Sequence, residues 1–566
     1  AGGRVMDMAA KNRGLSEPIV TERLLPVLID VLDNLDHQGL SHRRIRPENL
    51  YYLDKDRQVV VLGEGFTEPP GYSQPAVFET IERSMAHPIG RGEGDNSSDL
   101  YALGVTIAML LKGFDPTEGK SDKQIQELKM SKGSFVSLVG DHRVTGPTEK
   151  LLRGLLSDDT AERWTIEEAK GWAWGSTRSL RHKPSAVRGR RPLNVAGEDI
   201  LYDRMAAWKI ASMGDGATEF VKQSGLVSWI RQSLGDETRA GFVADAIALA
   251  QPGNALANDL LVTRVCGSLD PHGPVRYHGL ALCNDGLGAA IASALGTGDI
   301  TLQGNLANLF KTNYLAGWES SRKMSRENLG HGVDYAKLTG WMENAAPGFG
   351  LERCLYELNQ STPCLSPLII TFGAVDLGGV LQCINAAIVA AGEAVDVFDR
   401  HIAAFVAARS EDAGKMIPAL SVSSGDPAER SLTILGLFGA MQSASDCGAL
   451  VNLGNRMESR LPPILELYHS RKRRKDLSEQ ARLHAAVGDL SGMFKVVGNR
   501  KMRRLDEIER QQAAAEYSEL NKQLKALESG TKRITKETRA TGYKAATILG
   551  AVVLAFSLWF AIEAGL

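Results

Sequence analysis

The sequence predicts a mainly α-helical protein of several domains that ends in one membrane-spanning helix. Its 566 residues favour three or four domains, since a domain commonly holds about 100–200 residues. Apolar residues recur at helical spacing through much of the chain, as in Phe398, Ile402 and Phe405 and again over 434–441. Residues 545–562 are apolar and carry no charged side chain.

Four short motifs lie in order within the first 177 residues. They are HRRIRPEN at 42–49, GEG at 63–65 after the apolar run VVVL, SDLYALGV at 98–105, and DTAERW at 159–164 followed by EEA. A chance match to one such motif is common. Four of them in this order and at this spacing indicate a specific fold.

Together the motifs resemble the large lobe of the protein kinases, of the bacterial Ser/Thr type. In that family H-R-D-x-x-x-x-N supplies a catalytic Asp and a metal-binding Asn, and D-F-G supplies the main metal ligand. Arg44 stands in the place of the catalytic Asp and Gly63 in the place of the metal-binding Asp, whereas Asn49 matches. Arginine stays protonated in proteins and cannot serve as a general base.

The resemblance therefore implies a fold of few strands and many helices whose catalytic chemistry is lost. No catalytic residue is predicted. The degenerate catalytic loop consists of His42, Arg43, Arg44, Arg46 and Asn49, and the degenerate metal motif consists of Gly63, Glu64 and Gly65. No cofactor is expected, with ATP and Mg²⁺ held by Asn49 and Glu64 as the alternative.

The resemblance also implies two structural residues. Asp99 would brace the backbone of the catalytic loop, and Arg163 would pair with a glutamate of the activation segment, for which Glu79 and Glu82 are both candidates. The small lobe of a kinase, with its Gly-rich loop and phosphate-binding Lys, has no counterpart in this sequence.

A basic linker is predicted over 178–194, which contains two prolines and few large apolar residues. An α-helical domain is predicted over 195–465, in which residues 226–234 form a helix that packs Trp229 inward. The six cysteines form no C-x-x-C pair and the 11 histidines are dispersed, so the sequence predicts no metal site and reduced, buried thiols.

A basic helical stalk is predicted over 466–544 and a transmembrane helix over 545–566. Residues 469–544 hold 19 Lys and Arg against 10 Asp and Glu, a net charge of +9 in a chain whose total is −2. An apolar run of 18 residues is just long enough to cross a bilayer. The basic residues before it keep that side cytoplasmic by the positive-inside rule.

Two basic groups are predicted to lie near the membrane, where anionic lipid is a possible ligand and nucleic acid an unfavoured one. They are Arg471, Lys472, Arg473, Arg474 and Lys475, and Lys532, Arg533, Lys536, Arg539 and Lys544. Two short heptad seams, one through Leu505 and Ile508 and one from Ala513 to Leu527, predict a helical stalk with weak self-association rather than a strong coiled coil.

These observations predict a tail-anchored pseudokinase, held in a bacterial inner membrane, that acts as a cytoplasmic scaffold or regulator for protein partners. Two alternatives are an atypical nucleotide-dependent transferase that uses the degenerate cleft, and a structural protein that assembles at a membrane.

Overall fold

The computed structural model of the protein describes residues 2–173, 175, 187–250, 255–312, 314–323, 334–390, 392, 395–422 and 425–565. Over these ranges the protein is mainly α-helical, as the sequence predicts, and its strands form three small antiparallel sheets. The strands are β1 (Gly3–Arg4), β2 (Leu50–Tyr52), β3 (Val60–Leu62), β4 (Arg188–Val195), β5 (Glu198–Tyr202), β6 (Val275–Tyr277) and β7 (Leu280–Leu282).

The first helices are α1 (Val5–Lys11), α2 (Leu25–His37), α3 (Ile81–Ser84), α4 (Asn96–Lys112), α5 (Asp122–Lys132), α6 (Ser134–Leu138), α7 (Gly146–Leu155), α8 (Ile166–Ala173), α9 (Asp203–Ala211), α10 (Gly216–Gln223), α11 (Leu226–Trp229), α12 (Glu237–Leu249), α13 (Ala255–Leu269) and α14 (Leu287–Thr297). They are followed by α15 (Ile300–Lys311), α16 (Tyr314–Arg322), α17 (Tyr335–Glu343), α18 (Leu351–Leu358), α19 (Leu377–Ala387), α20 (Arg400–Arg409), α21 (Glu411–Met416), α22 (Ala419–Val422), α23 (Pro427–Ser445), α24 (Val451–Glu458), α25 (Leu461–Glu466), α26 (Arg471–Ala486), α27 (Leu490–Val497) and α28 (Arg500–Glu563).

The chain divides into two compact units. The first consists of Ala1–Asp376 and Phe398–Lys415, and the second of Leu377–Val397 and Met416–Leu566. This division differs from the helical domain predicted over 195–465, because α20 packs against α18 in the first unit while α19 packs against α23 in the second. The contact between the rings of Tyr356 and Phe405, 5.1 Å apart, is part of the α18–α20 packing.

The N-terminal region has a hydrophobic core of its own, formed by residues between Val5 and Ala169. Its centre is α4, in which every residue from Ser98 to Leu111 is buried. Asp95 caps the first turn of this helix by accepting a hydrogen bond from the Ser98 N–H, and Gly113 ends it with a φ of 77°. The predicted boundary at residue 177 lies within residues 176–186, which are outside the described ranges.

The sheet β1–β2–β3 positions the first two sequence motifs. Strand β2 starts directly after Asn49, β3 ends directly before Gly63, and the antiparallel register pairs Leu50 with Leu62. The Gly63 N–H donates to the Asn49 carbonyl at 2.7 Å, so the two motifs lie side by side.

The predicted linker over 178–194 is wrong in its second half. Residues 178–186 are outside the described ranges, but β4 begins at Arg188 and pairs with β5 around a turn at Ala196 and Gly197, both with positive φ. The pairing is irregular between Arg188 and Leu193, which is where Pro192 can be accommodated without loss of a ladder hydrogen bond.

The predicted helix at 226–234 and its inward tryptophan are confirmed, since α11 continues directly into a π-helix over Ile230–Leu234. Trp229 is buried, and its indole N–H donates to the Arg191 carbonyl at 2.8 Å. The predicted apolar stripes are buried as well, since Ile402, Phe405 and Phe438 are each 0% exposed.

In the second unit, the predicted stalk is shorter than 466–544. Helices α26 and α27 pack on each other, and their side chains Leu477, Ala481, Leu490 and Met493 are buried. Only α28 extends away, as one 64-residue helix that contains both the rest of the stalk and the predicted membrane segment. This helix is long and apolar enough at its C-terminal end to cross a membrane, and none of the apolar window is buried.

Candidate functional site

Asp99 holds the loop of the first motif by its backbone. Its two carboxylate oxygens accept hydrogen bonds from the N–H groups of His42, at 2.7 Å, and Arg43, at 2.8 Å. The Asp99 side chain is buried in the first turn of α4, and burial raises its pKa to about 6, although Arg43 and the two N–H donors favour the charged form. The contact acts on main-chain geometry, which is the role that the kinase resemblance implies for this residue.

Arg43 adopts the left-handed conformation, with a φ of 58°, which is uncommon for a residue other than glycine. Its guanidinium donates to both carboxylate oxygens of Glu79, at 2.9 and 3.1 Å, and both side chains are almost completely buried. The strained backbone is therefore fixed from two sides, by Asp99 at the main chain and by Glu79 at the side chain.

The Glu79 segment is held in turn by a buried lysine. Lys129 of α5 donates to the carbonyl oxygens of Ala76, Val77 and Glu79 at 3.1, 2.7 and 2.8 Å, and its side chain is 1% exposed. Burial lowers the pKa of Lys129 to about 7. The protonated form of Lys129 has the three N–H donors that these carbonyl groups can accept from, and the neutral form has two.

Arg44, in the position of the catalytic acid, is neutralised by two glutamates. Its guanidinium pairs with Glu64 and, at 3.0 Å, with Glu68. Glu64 also accepts a hydrogen bond from the Thr67 hydroxyl, and these partners lower the pKa of its carboxyl group. The carboxylate that could have replaced the missing metal ligand is therefore a partner of Arg44.

Asn49 is hydrogen-bonded to the backbone through its side chain. Its side-chain N–H₂ donates to the carbonyl oxygens of Arg44, at 3.0 Å, and Glu64, at 2.9 Å. Its Oδ1 atom lies against Gly63, so closely that a Cβ on Gly63 would be 2.1 Å from it. A carboxylate-bearing residue at position 63 would need the space that the Asn49 amide occupies.

Gly65 is in a similar position relative to His42. A Cβ on Gly65 would be 2.7 Å from Cε1 of the His42 ring, whose Nε2 atom lies 3.2 Å from the Gly63 carbonyl oxygen. Burial lowers the pKa of His42. Both glycines of the second motif are therefore sites of close approach by a residue of the first motif.

The remaining residues singled out from the sequence, Arg46 and Arg163, also make structural contacts. Arg46 donates to the Ser73 carbonyl at 3.0 Å. Arg163 donates to the Ser157 carbonyl at 2.9 Å and lies 4.0 Å from Glu82, which also lies 3.9 Å from Arg204. Burial alone would raise the pKa of Glu82, but Arg163 and Arg204 lower it. Glu82 is thus the glutamate near Arg163, while Glu79 serves Arg43.

Among the described residues, no group of three or more His, Cys, Asp or Glu side chains could hold a metal ion. Four of the six cysteines are buried, and burial raises the pKa of Cys266 to about 11 and those of Cys283 and Cys354 to about 12.

The two basic groups differ in their surroundings. Arg473 pairs with Asp506 and Glu509, at 3.1 and 2.9 Å, and so joins α26 to α28. Arg474 donates to the carbonyl of Tyr468, in the segment before α26. Since Glu509 and residue 545 belong to one helix, this group is about 54 Å from the apolar segment along the axis. The description as membrane-proximal therefore fits Lys532, Arg533, Lys536, Arg539 and Lys544, all exposed on α28, better than 471–475.

Sequence reasoning missed three contributors. Lys129 and Glu68 lie outside the recognised motifs, because each contacts a segment that is distant from it in the sequence. Asp285 was also missed: it pairs with Arg83 at 3.0 Å and accepts from the Gly94 N–H at 2.8 Å, which joins the β6–β7 region to the segment after the second motif. The same junction includes a hydrogen bond from the His87 N–H to the Ala281 carbonyl.

The chain is similar to known protein kinases over about a third of its length. It is 29% identical over 197 residues to ribosomal protein S6 kinase alpha-4 of Homo sapiens, which covers 32% of this chain and 25% of that protein. It is 26% identical over 179 residues to a calcium/calmodulin-dependent serine/threonine-protein kinase of Malus domestica, which covers 31% of this chain and 43% of that protein. It is 24% identical over 212 residues to calcium/calmodulin-dependent protein kinase type 1 of Macrobrachium nipponense, which covers 34% of this chain and 58% of that protein. The chain thus spans between a quarter and just over half of the length of these relatives. No family model matches the chain.

Proposed function

We propose that this protein is a membrane-anchored pseudokinase that serves as a cytoplasmic scaffold or regulator and does not carry out conventional phosphoryl transfer. The observation that carries the proposal is the pair Arg44 and Gly63. One replaces the residue that would accept the proton of a substrate hydroxyl, and the other replaces the main ligand for Mg²⁺. A guanidinium cannot accept a proton, and glycine has no side chain to bind a metal ion.

The surroundings of these two positions support the same proposal. Arg44 is held by Glu64 and Glu68, and the Asn49 amide is held by two carbonyl groups. Binding of a metal ion by Asn49 and Glu64, on which the transferase alternative depends, would have to compete with the pairing of Glu64 with Arg44. That requirement counts against the alternative.

Anchoring in a membrane is supported by α28. Its residues 545–562 are apolar and exposed, and the five basic residues of 532–544 precede them on the same helix. By the positive-inside rule, the two compact units would stay in the cytoplasm. A bacterial inner membrane is our proposal for the location.

The first test is phosphoryl transfer by the full chain from γ-labelled ATP to itself and to generic protein substrates, together with thermal unfolding in ATP and Mg²⁺. We expect no transfer above background and no Mg²⁺-dependent shift of the melting temperature at millimolar nucleotide. Transfer at the rate of an ordinary kinase, abolished in Arg44→Ala but retained in the surface control Arg153→Ala, would refute the proposal.

A further inference from the structure

Helix α28 carries a stripe of large apolar side chains that no other residue in the described ranges covers. Tyr517, Leu520, Leu524, Leu527 and Ile534 are between 56% and 72% exposed, and the single buried residue of the whole helix is Asp506 near its start. Most of the stability of a helix in a protein comes from packing of its apolar face. A helix about 96 Å long with an uncovered apolar stripe therefore calls for a partner.

The stripe follows a strict heptad. Steps of four and three residues from Ala513 select Ala513, Tyr517, Leu520, Leu524, Leu527, Thr531, Ile534, Thr538, Thr541, Ala545, Ile548, Val552, Ala555, Trp559 and Ile562. None of these residues is charged, although 11 charged residues lie between positions 513 and 562. All 11 fall on the other faces of the helix.

An apolar repeat of 3.5 residues indicates a coiled coil, because a straight α-helix has 3.6 residues per turn. A seam that keeps this spacing would drift around a straight helix by about 20° per heptad, so a partner can follow it only if two helices wind around each other with a left-handed supercoil. Four heptads of the seam lie before the apolar segment, and the same register continues through it to Ile562.

The charges on either side of the seam permit an identical partner. With Leu524 and Leu527 at the two core positions, a parallel pair would place Glu516 against Asn521, and Gln523 against Glu528, of the other helix. No like charges face each other in these pairs. The basic residues Lys532, Arg533, Lys536 and Arg539 all lie outside the core and its flanking positions.

We propose that α28 pairs with α28 of a second copy of this chain in a parallel coiled coil, with the seam defined above as its core. A two-fold pair buries the same stripe on both copies, and a shared membrane would keep the two helices parallel and in register. Three threonines at core positions make the cytoplasmic part weaker than an all-leucine seam. The inference does not depend on whether the protein transfers phosphate.

Disulfide cross-linking of the full chain in its membrane tests the register directly. Cys383 and Cys447, which are half-buried, are replaced by serine to lower the background. Cysteine is then placed at a core position, Leu524→Cys, or at the outermost position of the preceding heptad, Lys522→Cys. We expect oxidation to yield a covalent dimer several-fold more readily for Leu524→Cys. Equal yields, or none from either variant, would overturn the proposal.

The mass of the detergent-solubilised full chain gives a second readout. Leu524→Glu with Leu527→Glu puts two charges into the core, and Ala526→Glu with Ser529→Glu adds the same charge on the outer faces as a matched control. All four residues are exposed, so neither pair disturbs the folded units. Light scattering should give a dimer for the native chain and the control and a monomer for the core variant. A monomeric native chain, or a core variant that stays dimeric, would contradict the inference even if phosphoryl transfer is absent.

Discussion

The side-chain amide of Asn49 occupies the space beside Gly63 that a side chain at position 63 would need. Asn49 Oδ1 would be 2.1 Å from a Cβ on Gly63, and the amide nitrogen is fixed by two carbonyl groups. The glycine at position 63 and the asparagine at position 49 are therefore parts of one arrangement. The asparagine supports the loop, and the glycine makes room for it.

Gly63→Ala should lower the free energy of unfolding by about 1–3 kcal/mol, because the new methyl group meets an amide that two hydrogen bonds hold in place. Gly241→Ala is the control, since a Cβ there meets nothing within 4 Å on α12. Urea unfolding of both variants measures the effect. The cost should be smaller when Gly63→Ala is made in an Asn49→Ala background; equal costs in both backgrounds would show that Asn49 is not the obstacle.

Glu79→Ala should cost about 3–5 kcal/mol, because it leaves the buried guanidinium of Arg43 without a partner. Glu149→Ala on α7 is the matched control: it breaks the exposed pair with Arg153, which is worth about 0–1 kcal/mol. Chemical unfolding compares the two losses. If Glu79→Ala is as mild as the control, the pair does not hold the loop.

The sequence predicted the mainly α-helical fold, because helical spacing is a local pattern. Asp99 belonged to a motif, and its two hydrogen bonds to the loop match the expected role. The strand at 188–195 was missed because Arg188, Arg190, Arg191 and Pro192 obscure the three buried positions of the strand.

What the sequence could not provide is contacts between distant segments. Glu64 looked available for a metal ion until the structure placed Arg44 beside it, and Lys129 is one of several lysines in a polar helix until its three carbonyl partners are known. The sequence also could not show where the stalk begins. Residues 471–475 have the same basic composition whether they face water or pair with α28.

Stability should depend on pH through Lys129. Its pKa is about 7 in the folded protein and near 10.5 when exposed, so between these values the unfolded chain binds a proton that the folded chain does not. The free energy of unfolding should therefore rise with pH in this window, by up to about 1.4 kcal/mol per pH unit, relative to Lys129→Met. Unfolding curves at several pH values from 7 to 10 measure the difference. The exposed Lys132→Met should show no such trend, and parallel profiles for Lys129→Met and the native chain would contradict the assignment.

Removal of residues 545–566 should release the protein from membranes without changing its fold. Its residues 545–560 and 562–565 are exposed, and the apolar surface of 545–562 would account for insertion into a bilayer. The measurement is the fraction of protein that stays with the membrane after alkaline extraction, alongside the circular dichroism of the released chain. Glu563→Gln should stay in the membrane like the native chain. A shortened chain that resists extraction would place the anchor elsewhere.

Binding to anionic lipid should depend on the basic residues near the apolar segment and not on those near α26. In a chain that ends at Lys544, replacement of Lys532, Arg533, Lys536 and Arg539 by glutamine should weaken binding to vesicles that contain phosphatidylserine by about 1 kcal/mol for each residue. The control replaces Arg471, Lys472, Lys475 and Lys495, which are equally exposed but belong to the packed part of the second unit. Sedimentation with vesicles measures the binding of both variants. The difference between them should disappear at higher salt, because salt screens the charges. Equal losses for the two sets would mean that net charge alone, and not position on α28, determines lipid binding.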